Sequence, residues 1–159
     1  MTTWARAAGL GSLLTVSLLL GGCGLLNSGP ERNEDGSVAE TVDASVPELR
    51  DGDCFTDDGG TEVTLMPCEK PHEFEVFAST KMLDGEYPGV EKAETQADAF
   101  CRPAFEKFVG ISYSDSELPL QFFYPQAADW SEADNRTVLC LVTVPGNKPS
   151  TGTFKSADR

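Results

Sequence analysis

Glu62-Val63-Thr64-Leu65-Met66, followed across Pro67-Cys68-Glu69-Lys70-Pro71-His72 by Glu73-Phe74-Glu75-Val76-Phe77-Ala78-Ser79-Thr80, is the stretch that decides the fold. Val63 and Leu65 alternate with polar residues, as do Phe74, Val76 and Ala78. A period of two places such residues on one face of a strand. The prolines between the runs mark a chain reversal. Asp57-Asp58-Gly59-Gly60 makes a further turn between Phe55 and the first run. Two later runs, Leu120 to Tyr124 and Thr137 to Val144, also read as strands. The last is nearly all apolar and belongs inside the sheet, covered on both faces.

One helix separates these runs. Val90, Ala93, Ala97, Phe100, Cys101, Ala104, Phe105 and Phe108 recur at three- and four-residue steps, which is the stripe of a helix packed on one side. Pro103 lacks an amide hydrogen and should kink the helix or begin a second one, and Gly110 should end it. The expected fold is α+β, a small antiparallel sheet packed by one kinked helix.

The domain holds Cys54, Cys68, Cys101 and Cys140. An even count in an exported chain implies disulfides, and three connectivities exist. Cys54 and Cys68 flank a local chain reversal, while Cys101 on the helix stripe can reach Cys140 on the apolar strand. Those two pairs are the expected ones. The spacings contain no CxxC knuckle, so a metal site of these cysteines is not expected.

Outward from the domain, the N-terminus reads as an export signal. An apolar run from Ala7 to Leu20 follows Arg6 and ends in Leu20-Gly21-Gly22-Cys23. It suits a signal-peptide core and is short for a membrane span. A branched apolar residue, two small residues and cysteine form a lipobox, in which the thiol receives a diacylglycerol. Residues 1–22 are thus expected to be removed and Cys23 to carry the lipid anchor. Residues 23–48, rich in Gly, Ser, Pro and acids, read as a flexible linker. Residues 49–154 read as the domain, with the polar chain beyond Gly146 expected to fray and 155–159 as a tail. The expected location is the outer side of the cell membrane.

Lys and Arg number 12 against 26 Asp and Glu, for a formal net charge of −14. Such a surface disfavours nucleic acid and steers the domain towards basic partners. No phosphate-binding glycine loop or G-x-S-x-G motif occurs, and no cofactor is implied. His72 is the only histidine. With Glu75 or Asp57 it could serve as a general base or metal ligand. On a strand, however, positions 72 and 75 point to opposite faces, so the expected role is structural. Asp51, Asp53, Asp57 and Asp58 around Cys54 suggest a charged turn, since they lack the ligand pattern of a calcium loop. Tyr87, Tyr124 and Trp130, near proline-marked turns or polar loops, are the candidate contact residues. The expected function is a tethered binding module with an envelope protein as partner and no catalytic residues. The alternative is a small envelope hydrolase dependent on His72 or a cation.

Gly52-Asp53-Cys54-Phe55, Val63 through Pro67-Cys68, Pro71-His72-x-x-Glu75-Val76-Phe77-Ala78, Gly85-x-Tyr87-Pro88-Gly89, Cys101, Trp130 and Arg136-x-Val138-x-Cys140 form an ordered set. In it the chain resembles the septum formation domain of actinobacterial envelope proteins, over about Leu49 to Phe154. That family commonly has Gly-Asp-Arg before the last strand, where this chain has Ala133-Asp134-Asn135-Arg136. The resemblance implies an exported or membrane-attached module connected with cell division, and implies no catalytic residues.

Overall fold

The structure, a computed structural model, describes residues 29–34 and 36–159. The expected signal segment and Cys23 lie outside the described residues. Six antiparallel strands form one sheet: β1 (Val42–Ser45), β2 (Cys54–Thr56), β3 (Glu62–Met66), β4 (Phe74–Lys81), β5 (Leu120–Phe123) and β6 (Thr137–Val142). Their spatial order is β1-β3-β2-β4-β6-β5. Among the described residues one α-helix, α1 (Val90–Val109), covers one face. The alternating stretches around Val63 and Val76 are β3 and β4, and the apolar run from Thr137 is β6, interior to the sheet and buried on both faces.

Alternation along β4 fails at one point, for a local reason. The register with β6 shifts between Val76 and Ala78. An extra residue there turns the following side chains over. Phe74 and Val76 therefore join one core, while Phe77 and Ala78 pack in the other. That second core lies under α1, where Ala97, Cys101, Phe105 and Val109 repeat every four residues and are buried. Val90, expected on this stripe, is 52% exposed because it occupies the first helical turn. The helix runs unbroken through Pro103, so the alternative of a second helix does not occur, and Gly110 caps its end in the left-handed region at φ 103°.

The other core, with Phe55, Leu65, Phe74, Val76, Leu139 and Leu141, lies on the opposite face of the sheet. Among the described residues no α-helix covers it; the sheet itself does. Phe55 on β2 meets Phe123 on β5 at a ring separation of 6.3 Å. Three strand steps in a flat sheet would span about 14 Å. The sheet must curl, so its two edges approach each other and enclose the apolar side chains.

Disulfides join Cys54 to Cys68 and Cys101 to Cys140, the pairs expected from placement. The second ties helix to sheet.

The expected linker boundary needs correction. Val42–Ser45 pairs residue for residue with β3, and Val38 and Ala44 are buried in the core. Edge pairing and an ion pair from Arg32 to Asp53 compensate for the ordering of this polar segment. The C-terminal segment differs from expectation too. Phe154 is buried, and the amides of Ser156 and Asp158 donate to the carbonyls of Phe108 and Val109 at the end of α1.

Candidate functional site

His72 precedes β4 and forms an isolated bridge with Ser150, each amide donating to the other's carbonyl at 2.9 and 2.8 Å. Its side chain is 0% exposed. Nδ1 lies 2.9 Å from the carbonyl of Lys70. A carbonyl only accepts, so Nδ1 carries a proton and donates to it. Among the described residues Nε2 has no hydrogen-bond partner. The ring meets Phe154 edge-on at 6.3 Å.

Glu75 is 2% exposed. Its oxygens accept from the Thr153 hydroxyl at 2.6 Å and the Phe154 amide at 2.7 Å. Burial raises its pKa above the ordinary carboxyl value, opposed by those two hydrogen bonds and by the charges of His72 and Lys155. His72 thus acts on Glu75 through space, while the carboxylate's hydrogen bonds go to the C-terminal segment. A hollow of about 500 Å³ opens beside Glu75, lined also by Asp51, Glu69 and Lys155, and His72 does not line it.

The acids around Cys54 do not converge on one point. Asp53 accepts from both Nη atoms of Arg32, at 2.5 and 2.9 Å, and from the Arg50 amide at 2.7 Å. Hydrogen bonding to Asp53 raises the pKa of the Arg32 guanidinium, against its partial burial. Asp57 accepts from the Gly59 amide and shapes the turn. Among the described residues, Cys54, Cys68 and Glu75 bring potential metal-ligating atoms within 4.8 Å of one another. Both sulfurs belong to the disulfide, so neither is a thiolate there.

The three candidate contact residues separate. Trp130 is buried, not exposed as a contact residue would be. Its indole nitrogen donates to the Gly85 carbonyl at 2.8 Å, its ring packs edge-on with Tyr87 at 5.4 Å, and Arg136 lies 5.2 Å above it. Arg136 also pairs with Asp84. Trp130 and Tyr87 therefore hold the loop before α1, whose Leu83 is 90% exposed. Tyr124 instead lines an open cleft of about 260 Å³. Val46 and Pro47, just after β1, form one wall; Phe123, Tyr124 and Pro125, at the end of β5, form the other, and Leu139 contributes from β6. The cleft is the seam where the curled sheet brings its two edges together.

Of these residues, sequence reasoning singled out Tyr124 alone. Val46 and Pro47 fall in the expected linker, and Phe123 and Leu139 in expected strands. The one available signal was Phe122-Phe123-Tyr124-Pro125, in which an aromatic strand end runs into a proline.

Among the described residues no helix is long and apolar enough to cross a membrane. No solved structure matches the chain. Two curated relatives, each called an uncharacterized membrane protein and coming from two strains of Mycobacterium tuberculosis, are 25% identical over 133 residues. The alignment covers 75% of this chain and 29% of theirs, so the chain spans under a third of those relatives' length. Residues 51–158 match the family described as Septum formation, a span that takes in all four domain cysteines, Glu75 with its C-terminal clasp, and Tyr124. The chain belongs to the septum formation family.

Proposed function

We propose that the protein is a lipid-anchored module on the outer side of the cell membrane that binds an envelope protein, in a setting connected with septum formation. One observation carries the reading: the cleft at the sheet seam presents Tyr124 and Phe123 to solvent, while the only histidine is sealed at 0% exposure. Aromatic and proline walls with a polar rim suit recognition. A general base must reach the proton it abstracts, and His72 is walled off by Ser150 and Phe154. The lipobox at Cys23 and the membrane naming of the relatives support the location. The Arg32–Asp53 pair shortens the tether, since the residues between Cys23 and Arg32 reach at most about 30 Å fully extended. The cleft would then work close to the bilayer, at high effective concentration towards other anchored proteins.

The test compares variants of the full-length protein in its native envelope. Tyr124→Ala is expected to accumulate in the membrane fraction and lose cellular function. His72→Ala is expected to keep function in proportion to its accumulation. The opposite pattern would favour the hydrolase reading. Cys23→Ala should leave the membrane fraction; retention there in processed form contradicts the anchor.

A further inference from the structure

We propose that the seam cleft receives an extended, positively charged peptide segment, which pairs with the free edge of β5 and seats an apolar side chain against Tyr124. This rests on the recognition reading above and names the chemistry of its partner.

The first observation is topological. Among the described residues, β5 pairs with β6 on one side and stands at the edge of the sheet on the other. A free edge offers unpaired backbone donors and acceptors, which an incoming extended chain can satisfy without any change of fold. The end of this strand, at Phe123, lies across the cleft from Val46 and Pro47, which follow β1, so a chain added there would find walls on both sides.

The second is size. At about 260 Å³ the hollow falls just below the roughly 300 Å³ at which small-molecule sites begin. It suits a side chain or two of a larger ligand better than a whole cofactor. Its walls are of the kind that take an apolar side chain: Val46, Pro47, Phe123 and Leu139, with the Tyr124 ring beside them.

The third is charge. Among the described residues, Asp129 is the one charged residue in the lining and no cation lines the cleft. The chain around it carries a formal −14. An acidic or strongly phosphorylated segment would meet repulsion from both, whereas a basic one is drawn in by the long-range field and held by Asp129. Charge therefore selects the partner, and the β5 edge with the Tyr124 wall sets where it sits.

The experiment titrates the purified full-length protein with a short labelled peptide alternating lysine and valine. Its controls are the same peptide with glutamate for lysine, and a form with methylated backbone amides that cannot add to a strand. The lysine peptide is expected to bind about tenfold or more tightly than the glutamate one, to weaken as salt rises, and to lose binding on methylation. Amide signals of Leu120–Phe123 should shift. Tyr124→Ala should weaken binding by about tenfold, and Asp129→Lys, an exposed change that spares the core, should abolish the preference for lysine. Equal binding of both charges, or binding of the lysine peptide that ignores methylation and Tyr124→Ala, overturns the proposal. If peptide binding fails while Tyr124→Ala still costs cellular function, the partner chemistry is wrong and recognition at the cleft stands. If Tyr124→Ala is silent in cells as well, both fall.

Discussion

Phe55 on β2 and Phe123 on β5 meet at 6.3 Å although two strands, β4 and β6, lie between theirs in the sheet. That contact measures the curl which creates the seam cleft. Phe55 is fully buried and also stacks on Phe74 at 5.2 Å. Phe55→Ala is predicted to destabilise by about 3–5 kcal/mol, and Phe123→Ala, half-buried, by less. The double variant should show a coupling of about 0.5–1.5 kcal/mol in urea unfolding of the oxidised protein. Simple additivity would mean that the rings do not support each other.

Arg32 and Asp53 form an ion pair in which Asp53 is buried and Arg32 partly so, the Arg32 and Asp53 side chains being 9% and 0% exposed. Removing one partner leaves the other charge uncompensated, which costs about 3–5 kcal/mol in buried pairs. Arg32→Met is predicted to fall at the lower end and to speed amide exchange in β1, Val42–Ser45. An unchanged β1 would return this segment to the status of a linker.

The Glu75 carboxyl has its pKa raised in the folded protein, chiefly by burial. Between the ordinary carboxyl value and the raised one, the folded state binds more protons than the unfolded state. Stability contributed by this group is therefore present at the acid end and lost as pH rises through that window. Glu75→Gln can still accept from the Phe154 amide and donate to the Thr153 hydroxyl. It is predicted to flatten this part of the stability profile and to gain on the parent protein as pH approaches neutrality. A parallel profile contradicts this.

The two disulfides close loops of different length, with separations of 14 and 39 residues. Chain-entropy reasoning gives about 3 and about 4 kcal/mol. Replacing Cys101 and Cys140 with alanine should thus cost more than replacing Cys54 and Cys68, the more so because the first pair is fully buried under α1. Thermal unfolding of the two double variants compares them, and the reverse order would contradict the loop-length argument.

Strong periodicity made β3, β4, β6 and α1 legible in the sequence, and the stripe through Cys101 carried its pairing with Cys140. β1 was not legible, because Val42-Asp43-Ala44-Ser45 offers one small buried residue and gains its order from β3 and from the distant Arg32–Asp53 pair. Ala78 was assigned to the wrong face because a bulge is a property of two strands together. Of the site, Tyr124 could be singled out from its proline neighbour. The burial of Trp130 could not, since the partners that hold it, Gly85 and Arg136, depend on the folded loop. The seam itself is a product of sheet curl, which no local pattern encodes.

The most direct test of recognition at the seam is amide hydrogen exchange of the full-length protein, compared between native membranes and the purified state. Engagement of a partner at the cleft predicts slowed exchange in membranes at Leu120–Phe123, Tyr124 and Val46, with the amides of Glu75 and His72 unchanged. Slowing confined to the region of Glu75 and Thr153, with none at β5, would contradict it.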